Sequence, residues 1–118
     1  MQVTPYVFFN GNCAEALTFY ESALGAEIGM KMLASDMPPD PDFVVPDDKK
    51  DFIMHAQMKI GEGEVMMSDN LMGESADMEG ASIMLNLATA SEAKSIFDKL
   101  ADGAEISMAW APTFWSAG

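Results

Sequence analysis

The chain contains one cysteine, one histidine and only six lysine and arginine residues among its 118 residues. A single cysteine, Cys13, excludes an intramolecular disulfide framework and is typical of a reducing compartment. No apolar run approaches the ~20 residues of a membrane span. The N-terminus has neither the basic start nor the apolar run of a signal peptide. We therefore expect one cytoplasmic domain without a membrane segment.

The acidic residues outnumber the basic ones, with 19 aspartates and glutamates and a formal net charge of −13. Nucleic acid and anionic membrane surfaces are therefore poor partners. Solubility is the favoured explanation of the acidity, and a cationic ligand is the alternative. The 12 methionines are expected to fill gaps in the core, with an adaptable pocket lining as the alternative.

The pattern Gly-Ala-Glu-Ile-x-Met occurs twice, at residues 25–30 and 103–108. Each copy follows a segment of helical periodicity that opens with a capping signature and ends in glycine, and each helix follows an apolar, strand-like run. The chain is therefore predicted to be an internal duplication. Its first module would be residues 1–79 and its second, shorter module residues 80–118 of a single domain.

The first module is predicted to be β-α-β-β-β, with strands at residues 3–9, 26–33, 52–60 and 64–69. Asn12 and Glu15 would cap the helix, and Gly25 would end it. The Cys13 thiol would lie at the helix N-terminus, where the dipole would lower its pKa. No other feature supports a catalytic thiol. Residues 34–52 are predicted to be a long acidic loop, either a lid or disordered.

The second module is predicted to be β-α-β, with strands at residues 81–87 and 105–110 and a helix capped by Thr89 and Glu92. By symmetry with the first module, two further strands are expected and absent. The predicted fold class is therefore α+β, with paired βαβββ modules of which the second lacks its last two strands.

Each helix is expected to cover one face of its own sheet, so that the opposite faces of the two sheets would line a shared cavity. Strand alternation and an assumed orientation then give the candidate ligand-binding residues. They are Val7, Phe9, His55, Gln57, Met66, Ser68, Ser82, Met84 and Asn86.

The paired plan resembles the vicinal oxygen chelate superfamily, which includes glyoxalase I, extradiol dioxygenases and bleomycin-resistance proteins. Motifs along the whole chain are similar to one branch, the PhnB-like proteins, which continue past the last of these motifs with a final strand pair. We therefore expect a truncated member. The motifs are Asn10-Gly11-Asn12-Cys13-Ala14-Glu15-Ala16, Phe19-Tyr20, Asp36-Met37-Pro38-Pro39, Met54-His55-Ala56, Ile60-Gly61, Ser68-Asp69-Asn70 and Thr113-Phe114-Trp115.

The resemblance also implies where a metal would bind, because metal-using relatives take ligands from the first and fourth strands of each module. The matching positions are Pro5, which has no donor side chain, Ser82, which is a poor ligand, and Asp69. The fourth ligand would lie on an absent strand. We therefore expect neither a metal nor another cofactor.

His55 has three interpretations: a structural, hydrogen-bonded histidine, a cavity donor or general base, or a metal ligand. Trp110, Phe114 and Trp115 are expected to pack in a core or interface, and ligand stacking is the alternative. PhnB-like proteins often carry a methyltransferase label. Methyl transfer is disfavoured here, because the chain lacks a glycine-rich turn between a strand and a helix.

The sequence therefore predicts a PhnB-like protein that binds a small molecule without metal in the cavity between its modules. The alternatives are a metal-dependent lyase, isomerase or dioxygenase of the same superfamily, and a fragment without a ligand. Whether the protein is an enzyme stays open. A homodimer is expected, because unpaired strand edges favour pairing between chains.

Overall fold

The structure, a computed structural model, describes residues 1–76, 79–106, 108 and 110–111. The chain divides into two compact units, residues 1–81 and residues 82–118. No helix among the described residues has the length and hydropathy to cross a membrane. The first unit contains β1 (Tyr6–Phe9), α1 (Cys13–Leu24), β2 (Glu27–Leu33), β3 (Ile53–Ile60) and β4 (Gly63–Asp69), and the second contains α2 (Ala90–Leu100).

The four strands of the first unit form one mixed sheet with the order β1-β4-β3-β2. β1 pairs with β4 in parallel, whereas β2–β3 and β3–β4 are antiparallel. The β3–β4 hairpin turns through Gly61, whose φ of 57° favours glycine. The β-α-β-β-β order predicted for the first module is confirmed, and its first strand is shorter than expected.

Helix α1 covers one face of this sheet. Leu17 of α1 packs in a cluster with Ile53, Met58 and Met67 of the strands, and all four side chains are at most 2% exposed. Burying an apolar side chain of this size contributes about 1.5–3 kcal/mol. Gly25 ends the helix in the left-handed conformation, as predicted.

Asn12 is the N-cap residue of α1, as predicted, but the capping side chain comes from β4. The Asn12 side chain makes no capping hydrogen bond. Instead, Oδ1 of Asp69 accepts from the backbone N–H groups of Gly11 at 2.8 Å and Cys13 at 3.0 Å. Oδ2 of Asp69 accepts from Ile53 N at 2.9 Å. The positive end of the helix dipole favours a carboxylate here, so one buried side chain connects β4, α1 and β3.

Backbone hydrogen bonds join the two ends of the connection between β2 and β3. Ala34 N donates to Phe52 O at 2.8 Å, and Ser35 N donates to Lys50 O at 3.0 Å. Two short 3-10 helices, Ala34–Asp36 and Asp47–Lys49, lie within the connection. Residues 34–52 thus form the predicted long connection with ordered ends, and its role as a lid stays a prediction.

In the second unit, the predicted strand at residues 81–87 is wrong. These residues are irregular and exposed. In the first unit, β1 forms a hydrogen-bonded ladder with β4. Among the described residues of the second unit, no strand is present that could pair with residues 81–87 in the same way. Backbone groups without a ladder partner bond to water instead. Of the strand predicted at residues 105–110, the structure describes residues 105, 106, 108 and 110, and none of these is in a strand. Residues 107 and 109 lie outside the described part.

Helix α2 forms as predicted because its cap is local. Thr89 is the N-cap, and its Oγ1 accepts from Glu92 N at 3.1 Å. The two helices therefore begin for different reasons. α1 depends on a carboxylate from a distant strand, whereas α2 carries its own hydroxyl acceptor.

Candidate functional site

The sheet face opposite α1 carries two cross-strand rows of side chains, which we call the open face. The strand register gives both rows, because partners in neighbouring strands point to the same side. One row is Tyr6, Met66, Gln57 and Met30, and the other is Phe8, Ser68, His55 and Met32.

Three polar side chains of the open face form a hydrogen-bonded cluster. The Tyr6 hydroxyl donates to Ser68 Oγ at 3.2 Å, and it also lies 3.2 Å from Nδ1 of His55. A phenol has one proton, so a Tyr6 that donates to Ser68 accepts from Nδ1–H of His55. That tautomer leaves the Nε2 lone pair of the imidazole as an acceptor. The cluster therefore holds His55 in a fixed orientation with one nitrogen available for a ligand.

The aromatic ring of Phe8 lies beside this cluster. The ring centroids of Tyr6 and Phe8 are 4.9 Å apart with a 34° angle between their planes, and those of Tyr6 and His55 are 5.8 Å apart. Tyr6 is 42% exposed, Phe8 57% and Met30 39%. Exposed rings that lie side by side with thioethers make an apolar surface of the kind that marks a binding site.

The charged residues on this side of the sheet lie at its hairpin end. Glu27 pairs with Lys59, and Lys59 pairs with Glu64, which makes a third row of side chains. The two rows of the open face carry no carboxylate, lysine or arginine. The two rows therefore place no acidic side chain, lysine or arginine beside His55, although the whole chain has a net charge of −13.

Four of the predicted cavity residues, His55, Gln57, Met66 and Ser68, lie together on the open face. For Val7 and Phe9 the prediction needs correction, because both side chains pack against the core on the face that α1 covers. Tyr6 and Phe8 occupy the open-face positions of β1 instead. Both pairs are apolar at alternate positions, so the sequence pattern alone gave no signal to orient this short strand.

The other three predicted cavity residues, Ser82, Met84 and Asn86, belong to the second unit. They lie in the irregular, exposed segment and not on a strand. For the predicted aromatic cluster, the rings of Phe97 and Trp110 have centroids 5.5 Å apart. Phe114 and Trp115 lie outside the described residues.

The positions that the family resemblance offered for a metal do not fit one in the described part of the chain. Both carboxylate oxygens of Asp69 accept backbone N–H groups, so this side chain is committed to the fold. Pro5 has no donor side chain, and Ser82 is not on a strand. Among the described residues, no three histidine, cysteine, aspartate or glutamate side chains lie close enough to hold a metal ion.

The expectation that the helix dipole lowers the pKa of Cys13 is wrong. Burial, and to a lesser extent the nearby carboxylate of Asp69, raise the pKa of the thiol to about 12, against a smaller lowering by Lys31. The Cys13 side chain is fully buried. A protonated, inaccessible thiol is a poor nucleophile, so Cys13 is part of the core.

Comparisons with known proteins extend over almost the whole chain. The sequence profile of the Glyoxalase/Bleomycin resistance protein/Dioxygenase superfamily matches residues 2–118. The chain is 34% identical over 127 residues to protein YjdN of Escherichia coli strain K12, across 100% of this chain and 84% of the relative.

Two solved structures have the same fold. Protein PA1353 from Pseudomonas aeruginosa has a TM-score of 0.86 and 38% identity, covering 99% of this chain and 84% of that chain. A PhnB protein from Bacillus cereus has a TM-score of 0.78 and 22% identity, covering 99% of this chain and 86% of that chain. The α+β fold class predicted from the sequence is confirmed.

Proposed function

The chain belongs to the Glyoxalase/Bleomycin resistance protein/Dioxygenase superfamily, and from that premise we propose that it binds a small organic molecule without a metal ion. The resemblance to PhnB-like proteins is confirmed at the level of this family. We place the ligand on the open face of the first unit. This proposal goes beyond the family match, because the superfamily includes enzymes as well as binding proteins.

The observation that carries the proposal is the Tyr6–His55–Ser68 cluster within an exposed apolar surface. The Tyr6 hydroxyl lies 3.2 Å from both the imidazole of His55 and the buried hydroxyl of Ser68, beside the exposed side chains of Phe8 and Met30. Small-molecule sites combine mainly apolar walls with a few placed polar groups that fix the ligand orientation. The open face of the sheet has both features on rigid strands.

A thermal-shift experiment on the purified protein tests this function. The ligands are a set of small aromatic and aliphatic compounds, and Zn²⁺, Mn²⁺, Fe²⁺ and Ni²⁺, each with and without a chelator. A ligand at a hundredfold excess over its Kd stabilises the folded state by about 2.7 kcal/mol. We expect a shift with an organic compound that survives the chelator and is lost in His55→Ala.

Two outcomes would overturn the proposal. A shift that requires a divalent metal and disappears with the chelator would support the metal-dependent lyase, isomerase or dioxygenase. No shift with any compound, from a protein that is folded by circular dichroism, would mean that this chain has no ligand site of its own.

We also propose that the protein is a cytoplasmic homodimer. β1 and β2 are the outer strands of the sheet, and outer strands present backbone groups to which another chain can pair. Sedimentation equilibrium at micromolar concentration tests the assembly, and a folded monomer would contradict it. Cell fractionation tests the location.

A further inference from the structure

We propose that the ligand of the open face is an uncharged, planar aromatic molecule that carries a hydroxyl group. Its ring would lie against Tyr6 and Phe8, and its hydroxyl would donate to Nε2 of His55. This inference rests on the proposed function and adds the chemical class of the ligand. Three properties of the open face carry it: its rings, its hydrogen-bonding centre and its lack of local charge.

The rings and thioethers select an aromatic ligand. Each row of the open face has an aromatic residue on β1 at one end and a methionine on β2 at the other. Tyr6 and Phe8 are tilted by 34° at 4.9 Å and are both exposed. Aromatic rings and thioether sulfurs interact favourably with a further ring beyond the area that they bury.

The dimensions of the open face suit a molecule of two fused rings. Neighbouring strands lie about 4.8 Å apart, so four strands span about 14 Å, and the two rows are about 7 Å apart along the strands. The hydrogen-bonded cluster lies within this area.

The hydrogen-bonding centre selects a hydroxyl. The Tyr6 hydroxyl donates to Ser68 and lies 3.2 Å from Nδ1 of His55, so the proposal assigns His55 the neutral tautomer in which Nδ1–H donates to this hydroxyl. His55 then presents an acceptor at Nε2. A ligand hydroxyl can donate to this nitrogen, whereas an ether oxygen cannot.

Charge selects against an anion. The two rows carry no lysine or arginine that could pair with a carboxylate, and the whole chain has a net charge of −13. A carboxylate brought onto this surface would lose part of its hydration without gaining a counter-charge. The charged groups of the same side, Glu27, Lys59 and Glu64, lie at the hairpin end.

A panel of naphthalene derivatives separates these three properties, with Kd measured by fluorescence and calorimetry at pH 7.5. The probes are 2-naphthol, its saturated analogue decahydro-2-naphthol, 2-methoxynaphthalene and 6-hydroxy-2-naphthoate. We expect 2-naphthol to bind most tightly. The saturated analogue should bind about fivefold more weakly, the methoxy compound about five- to tenfold more weakly and the carboxylate at least about tenfold more weakly.

Matched variants locate the binding. Tyr6→Phe keeps the ring and removes the hydroxyl that orients His55, so it should reduce the preference for 2-naphthol over 2-methoxynaphthalene while the aromatic preference remains. Phe8→Leu should reduce the preference for 2-naphthol over its saturated analogue. Phe19→Leu on α1 is the control for the same substitution away from the open face, and it should change neither ratio.

The failures of the two proposals are distinguishable. Equal affinities for aromatic and saturated probes, or tighter binding of the carboxylate, would overturn the ligand class and leave small-molecule binding intact. Binding that Tyr6→Phe and Phe8→Leu leave unchanged would move the site away from the open face. No binding of any probe overturns this ligand class, and the thermal-shift screen then decides whether another class of small molecule binds.

Discussion

Replacing Asp69 with asparagine tests whether one buried carboxylate holds the first unit together. Asp69 is 4% exposed, and its two oxygens accept three backbone hydrogen bonds, from Gly11, Cys13 and Ile53, at 2.8, 3.0 and 2.9 Å. Asparagine has nearly the same shape but only one acceptor oxygen. At least one of the three N–H groups would therefore face an amide NH₂ group and lose its acceptor.

The expected loss of stability follows from these contacts. A hydrogen bond to a charged group contributes about 1.5–3 kcal/mol, and a negative charge at a helix N-terminus contributes about 0.3–1 kcal/mol. Asp69→Asn should therefore lower the free energy of unfolding by about 2–4 kcal/mol. Asp69→Ala removes all three acceptors and should cost more, a large fraction of the roughly 5–15 kcal/mol that stabilises a domain.

Urea denaturation followed by circular dichroism measures this loss, provided that the slope with urea concentration is the same in each protein. Asp42→Asn, in the exposed part of the β2–β3 connection, is the matched control and should change stability by less than about 0.5 kcal/mol. An Asp69→Asn protein as stable as the wild type would refute the reasoning, because the three bonds would then contribute nothing.

Three further predictions concern the core and the helix caps. The pKa of Cys13 is raised to about 12 from a usual 9.0, so the unfolded state loses its thiol proton at a lower pH than the folded state. As the pH rises between those two values, the free energy of unfolding should fall by about 1.4 kcal/mol per pH unit relative to that of Cys13→Ala. Equal pH slopes of the unfolding free energy in the two proteins would contradict this. Gly11→Ala, at φ 96°, would place a Cβ 2.9 Å from an aromatic ring and should cost about 1–3 kcal/mol in urea denaturation, whereas Gly29→Ala, with its nearest atom at 3.9 Å, should cost far less. Thr89→Ala should destabilise α2 by about 1 kcal/mol, whereas Asn12→Ala should leave the stability of α1 nearly unchanged. Amide hydrogen exchange at the two helix N-termini measures both effects, and a larger loss of protection in Asn12→Ala than in Thr89→Ala would contradict this.

The elements of the first unit could be predicted because their signals are local. The alternation along β3, the glycine that ends α1 and the hairpin at Gly61 each depend on residues close together in sequence. The same holds for α2, whose cap Thr89 lies three residues from its partner Glu92. The shared face of four residues, His55, Gln57, Met66 and Ser68, follows from alternation along β3 and β4 together with an assumed orientation of the sheet.

The errors have a common cause in contacts between distant residues. The expectation for Val7 and Phe9 is wrong because β1 carries apolar residues on both of its faces, and only its pairing with β4 decides which face α1 covers. The segment at residues 81–87 has a strand-like composition, but a strand forms only where a partner completes its ladder. The pKa of Cys13 depends on burial and on a carboxylate 56 residues away in sequence.

The sequence by itself determined the order of the elements in the first unit, the acidic charge and the family, because composition, periodicity and motifs are properties of neighbouring residues. The tertiary structure alone decided that Asp69 caps α1 and that Tyr6 joins His55 and Ser68 on the open face. Both depend on the parallel pairing of β1 with β4, which brings together residues about 60 positions apart. Local patterns cannot specify such a register, since shifting a strand by one residue exchanges its two faces.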